Sequence, residues 1–166
     1  MWDPGFPYVK WAPALVYGYH RALCIYSTQW RGTAKQPGLV LGLDRGGACR
    51  GLAYQVAAVD AKTALAGLWA REMRRRVYKP RLLRARLADR EIRVLTFIAS
   101  VEHPGYAGRL SVEKTAQLVA TCRGDRGPNI DYLTRTIDHL AELGVRDHNL
   151  LGVLAAVRAL RPDGTR

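Results

Sequence analysis

Cysteine is scarce and unpaired in this sequence. Cys24, Cys49 and Cys122 are odd in number, widely spaced and set in apolar or glycine-rich surroundings, with no Cys-x-x-Cys pair and no histidine cluster nearby. That pattern argues against a disulfide frame and against a zinc site. His20, His103, His139 and His148 are equally scattered and read as surface or hydrogen-bonded structural residues, so no metal is implied. Long apolar runs are missing too: nothing approaches the roughly 20 residues that a membrane-crossing helix needs. The opening Met1-Trp2-Asp3-Pro4-Gly5-Phe6-Pro7 has neither the basic start nor the apolar centre of a signal peptide, so a cytoplasmic location is expected. Catalytic signatures are also lacking. There is no Gly-x-Ser-x-Gly elbow and no His-Glu-x-x-His, and Gly46-Gly47 lacks the Gly-Lys-Ser/Thr of a phosphate loop. An enzyme built on this chain works without metal, nucleotide or activated serine, and no cofactor is expected.

Acidic residues are in short supply. Fourteen Asp and Glu stand against 26 Lys and Arg, a net charge of +12. Such a surface suits nucleic acid through phosphate neutralisation, and suits a small anionic metabolite through steering. The excess is densest between Arg71 and Arg93 but otherwise spread over the chain, without the interleaved aromatics of a single-strand platform. An arginine-rich genomic bias explains it equally well.

What is present is enough for one domain, expected to span 1–166: 166 residues, 48% of them hydrophobic and 24% charged. Leu15 to Thr28, Leu39 to Leu43 and Arg50 to Val56 are rich in β-branched and aromatic residues between glycine-bearing spacers, which predicts three strands in an antiparallel meander. Asp60 is suited to cap a helix running to about Met73, after which Val77 to Leu87 and Glu91 to Ala99 read as strands. Ser111, Asn129 and Asp147 each sit as N-caps before a helical pattern, and Gly144 suits a C-cap. Pro162 and the polar tail to Arg166 are expected to fray. The fold class is therefore α+β, with a curled or barrel-like, mostly antiparallel sheet flanked by helices.

One carboxylate stands out. On the helix from Ala61 to Met73, Leu65, Leu68 and Trp69 mark an apolar face at i, i+3 and i+4, and position i+7 is Glu72. An acid that continues an apolar stripe is expected to face the core or a cleft, where desolvation disfavours the ionised form and suits it to proton transfer. The other reading is an ordinary ion pair with Arg76 at i+4, or with Arg71 to Arg75 around the helix end. Periodicity by itself leans slightly to the ion pair.

Taken together, several motifs resemble the ChaC family of glutathione-specific γ-glutamylcyclotransferases. They are Trp2-Asp3-Pro4-Gly5-Phe6, Gly18-Tyr19-His20-Arg21, Trp30-Arg31-Gly32-Thr33, Pro37 to Leu43, Arg50 to Tyr54, Leu68 to Met73, His103 to Gly108 and Gly127 to Leu133. The resemblance covers nearly the whole chain. It implies a carbon–nitrogen lyase that cleaves glutathione, a small-molecule partner, to 5-oxoproline and cysteinylglycine, with Glu72 as the catalytic acid–base. It further implies that Arg31 holds a substrate carboxylate, though an exposed loop charge is the competing reading. Ser27 is a candidate hydrogen-bonding partner of the substrate, and Tyr106 and Tyr132 are expected to line or brace the pocket, Tyr132 mainly by packing. Phe97 stands where some members carry Tyr, so a hydroxyl contact is lost there. Members of the family open with a strand and a Tyr-Gly-Ser-Leu loop just before the tryptophan that matches Trp2, and this chain begins after it. The expectation is a start assigned too late or a truncated form, poorly active as it stands, with an unpaired sheet edge. The alternatives are a cyclotransferase on other γ-glutamyl compounds, a non-catalytic homologue, and a basic nucleic-acid-binding module, though the resemblance leads us to expect no specific nucleic acid.

Overall fold

A computed structural model describes residues 4–160. Trp2 and Asp3 of the first motif, and the tail from Pro162, lie outside the described residues. Four main strands and four helices follow in the order β1 (Lys10–Ser27), β2 (Gly38–Gln55), α1 (Ala58–Glu72), β3 (Tyr78–Arg86), β4 (Glu91–Ala99), α2 (Val112–Thr121), α3 (Asn129–Glu142) and α4 (His148–Ala159). Between α2 and α3, Arg123–Gly124 and Gly127–Pro128 pair as a miniature hairpin. The protein is α+β, as the sequence predicts.

The sheet departs from the expected meander. Its order is β2-β1-β3-β4, so the chain leaves β2 through α1 and crosses β1 to place β3 on the other side. β1 meets β3 at Leu15 opposite Arg86 and Val16 opposite Ala85, and β3 and β4 form a regular antiparallel hairpin from Tyr78 opposite Ala99 to Arg86 opposite Glu91. Among the described residues the sheet stays open and does not close into a barrel. The second and third expected strands prove to be one. Gly46 and Gly47, with φ of 95° and 69°, take backbone conformations that a side chain resists, yet β2 runs through them rather than ending there. His20 Nδ1 of β1 donates to the Gly46 carbonyl at this glycine pair (3.1 Å).

Two compact units emerge. The first takes the residues up to Arg21 and Gly42–His103; the second takes Ala22–Leu41 and the residues from Pro104 onward. The second holds the apolar core, where Leu23, Leu39 and Leu41 from the strands pack with Val119, Leu133, Leu140, Leu150 and Val157 from α2, α3 and α4. Its helix ends follow local rules. Ser111 Oγ accepts from the Lys114 amide and Asp147 Oδ1 from the Leu150 amide. α3 closes with Gly144 (φ 67°), its amide bonded to Ala141 O and the Val145 amide to Leu140 O, the paired bonds of a Schellman ending.

Two predicted caps are not caps. Asp60 lies inside the first turn of α1, whose N-cap is Ala57 with no side-chain bond. Asn129 is the first residue of α3 behind Pro128. Its side chain is wholly buried and turned to β2 instead, Oδ1 accepting from the Leu39 amide (2.6 Å) and Nδ2 donating to the Leu39 carbonyl (2.8 Å). It thus imitates a neighbouring strand, because the short carboxamide carries its acceptor and its donor on separate atoms, as a peptide group does.

Candidate active site

Glu72 is the last residue of α1, in the first unit. The stripe that led to it is not a core stripe: Leu65 and Trp69 are 45% and 47% exposed, while Ala64 is the residue of α1 that is buried. Ala64 is turned inward and Leu68 is half-buried, while Val59, Leu65 and Trp69 face out. The carboxylate is nonetheless sheltered, its side chain 14% exposed, and it is bonded by its neighbour, Arg71 Nε donating to Oε1 at 2.9 Å. The ion pair expected on one reading is therefore present, with Arg71 rather than with Arg76 at i+4. Arg76 instead ends the turn after the helix with a positive φ of 54° and its amide on Met73 O.

The other candidates belong to the second unit. Ser27 closes β1, is 3% exposed, and its Oγ accepts from the Arg31 amide at 3.0 Å. That bond tightens the loop after β1 over one turn and sets where Arg31 leaves the backbone. The Arg31 side chain is half-buried and is not the exposed loop charge of the competing reading. Its Nη1 donates to Arg126 O (2.6 Å) and Pro128 O (3.2 Å), and the guanidinium lies over the Tyr132 ring, 5.4 Å from its centre. Burial, and then the nearby Arg135, pull this guanidinium below its ordinary pKa, while Asp131 and Tyr132 push it back up. It stays a cation at any working pH because the reference value lies so far above neutrality. Among the described residues the Nε–Nη2 edge has no hydrogen-bond partner, and that edge has the fork geometry that a carboxylate fits.

Tyr132 braces this arrangement from α3, since its hydroxyl accepts from the Leu41 amide at 3.1 Å while its ring supports Arg31. Tyr106 sits in a short extended segment beside the end of β1, bridged to Ile25, with the Tyr26 amide on Gly105 O and the Ala107 amide on Cys24 O. Ser27, Arg31 and Tyr132 thus form one connected group, and Tyr106 flanks the same strand end. Phe97 pairs with Pro80 in the β3–β4 hairpin of the first unit.

Sequence reasoning missed what fixes the Arg31 loop. The miniature hairpin lies against it: the Asp125 amide bonds Gln29 O, the Arg126 amide bonds Trp30 O, and the Arg126 guanidinium stacks on the Trp30 ring at 4.4 Å. Glycine is required at these crossings. A Cβ on Gly124 would lie 2.3 Å from Gln29 O, and one on Gly38 would lie 2.1 Å from Arg31 O. Gly38 and Gly124 were visible as glycines in the sequence. Their meaning was not, because each is set by a backbone distant in sequence. Among the described residues no cluster of His, Cys, Asp and Glu is arranged to hold a metal, and no helix is long and apolar enough to cross a membrane.

Known proteins are similar to this chain in sequence and in fold. The ChaC-like protein family matches residues 1–160. A glutathione-specific gamma-glutamylcyclotransferase of Escherichia coli (strain K12) is 34% identical over 99% of this chain and 73% of its own length. The glutathione-specific gamma-glutamylcyclotransferase 1 of Homo sapiens is 31% identical over 98% of this chain and 76% of its own. A crystal structure of a yeast gamma-glutamyl cyclotransferase specific to glutathione shares the fold, with a TM-score of 0.84 over 95% of this chain and 90% of that one at 20% identity. With a family match that runs from the first residue to 160 and relatives similar over almost its full length, this chain belongs to the ChaC-like family.

Proposed function

We propose that this protein is a glutathione-specific γ-glutamylcyclotransferase of the cytosol that converts glutathione to 5-oxoproline and cysteinylglycine. The observation that carries this reading is the 34% identity, over 99% of the chain, to a relative of that name. The substrate supplies its own nucleophile. The α-amine of the γ-glutamyl group attacks the side-chain carbonyl of the same molecule, a carbon–nitrogen bond closes the five-membered lactam, and the amide bond to cysteine breaks. No water is consumed, and holding the substrate folded replaces an intermolecular encounter with a positioned one.

Glu72 takes a proton from the ammonium, which frees the attacking lone pair, and returns it to the departing cysteinyl nitrogen; the second proton that the attacking nitrogen loses as the lactam forms balances the one with which the released amine becomes an ammonium. Its sheltered carboxylate, with Oε1 on Arg71, supports that role. Arg31 meets a substrate carboxylate through its Nε–Nη2 edge, Ser27 fixes the loop that carries Arg31, and Tyr132 and Tyr106 shape the surroundings. The test is incubation with glutathione and, in parallel, with other γ-glutamyl amines and dipeptides, following 5-oxoproline. Release from glutathione alone supports the proposal. Release only from the other compounds would move the enzyme to the broader cyclotransferase class, and none from any of them overturns it.

A further inference from the structure

Glu72 stands where a helix is least hospitable to a carboxylate. The last turn of α1 presents the negative end of the helix dipole, and a free acid there has nothing to keep it in one rotamer. Arg71 meets both needs. Its Nε donates to Glu72 Oε1 at 2.9 Å while its Nη1 donates to the Pro4 carbonyl at 2.8 Å, so a single planar guanidinium spans from the carboxylate to the chain before β1. The far anchor is itself fixed. Phe6 sits edge-on to the Tyr54 ring at 5.9 Å, Tyr8 packs on the same ring at 5.0 Å, and the Val9 amide bonds Gln55 O at 2.7 Å. Gly5, at φ 71°, lets the chain pass under the guanidinium: a Cβ there would lie 3.0 Å from Arg71 Nη1.

From this geometry we infer that Arg71 is the positioning residue of the reaction: its guanidinium ties Glu72 Oε1 to the Pro4 carbonyl so that Oε2 is the oxygen that exchanges protons with the substrate. Among the described residues Oε2 has no hydrogen-bond partner, as an oxygen kept for the reaction requires. The inference rests on the assignment of Glu72 as the acid–base, and it explains the Arg-Glu pairing as a mechanical one. A lysine in place of Arg71 cannot reproduce it, since an ammonium lacks the rigid fork that meets two acceptors in fixed directions.

The experiment compares wild type, Arg71→Ala, Arg71→Lys, Gly5→Ala and Glu72→Gln in steady-state turnover of glutathione, with thermal midpoints measured alongside. Positioning acts on the proton-transfer step, so Arg71→Ala is expected to lower kcat by about 10- to 100-fold with KM within about twofold. Millimolar guanidinium should restore part of the Arg71→Ala rate and leave wild type unchanged. Arg71→Lys should fall between the two, and Gly5→Ala should lower kcat by pressing on a guanidinium it does not replace. A kcat for Arg71→Ala within twofold of wild type overturns the inference. So does a loss that guanidinium does not restore and that tracks a fallen thermal midpoint, because the role would then be structural. Should Arg71→Ala fail to fold, Arg71→Lys and Gly5→Ala decide alone, and wild-type kcat in both overturns it. If instead Glu72→Gln is as active as wild type, the assignment of Glu72 itself fails, an outcome distinct from the other results.

Discussion

In the second unit Arg31 is held by backbone: two carbonyls, the Ser27-bonded amide and a tyrosine ring fix it, and that unit contains the apolar core. In the first unit Glu72 is held by one side chain at a helix end, on a helix whose Val59, Leu65 and Trp69 face outward. On the roles proposed above, the difference separates binding from chemistry. A group that grips a substrate carboxylate gains from rigidity, whereas one that must accept and release a proton needs an oxygen left uncommitted.

The largest test of this contrast is Glu72→Gln. It should cut the kcat for 5-oxoproline formation by about 10²- to 10⁴-fold. Because a partly exposed ion pair contributes only ~0–1 kcal/mol, the thermal midpoint should move by less than about 4 °C. A collapse in stability with the lost activity would show that Glu72 is structural instead. Next in size, Leu133→Ala in the buried core should cost about 2–5 kcal/mol in denaturant unfolding, while Leu65→Ala on the outward face of α1 stays within about 1 kcal/mol. Equal losses would erase the distinction between the two units.

Arg31→Lys comes third. The fork is lost and the Arg126 and Pro128 carbonyls lose their donor, so KM should rise about 10- to 100-fold, in line with charge-assisted hydrogen bonds worth ~1.5–3 kcal/mol. A change confined to kcat would contradict a binding role. The smallest effect concerns Cys122, buried with its thiol on Pro37 O at 3.3 Å and its pKa raised by that burial. With the folded value above the unfolded one, the contribution to stability is complete below about pH 8.5 and is lost as pH rises through the folded value. Iodoacetamide at pH 8 should therefore modify half-buried Cys49 well before Cys122, which peptide mapping would read directly.

Much of the fold was legible where the signal was local. Ser111 and Asp147 cap as their residue types predict, and Gly144 ends α3, because each acts on amides or carbonyls within a turn of itself. Asn129 looked the same in sequence and does something else, since Leu39, 90 residues away in sequence, offers a buried amide and carbonyl that outcompete the helix end. The Gly46-Gly47 pair reads as a turn, yet flanking strand pairing carries β2 through it. Leu65, Leu68, Trp69 and Glu72 do share a helix face, but periodicity says which residues lie together and not which side is covered.

By itself, then, the sequence determined the family, the α+β class and most element boundaries, and it singled out Glu72 as the candidate acid–base, all carried by residue types and spacings along the chain. Tertiary structure alone decided the sheet order, the Asn129 contact with β2, the backbone cradle of Arg31 and the partner of Glu72. These depend on groups brought together from 67 to 97 residues apart, or, for Glu72, on which of several nearby arginines the local backbone turns toward the carboxylate. Local pattern cannot rank such contacts, because their free energy exists only once the chain has folded.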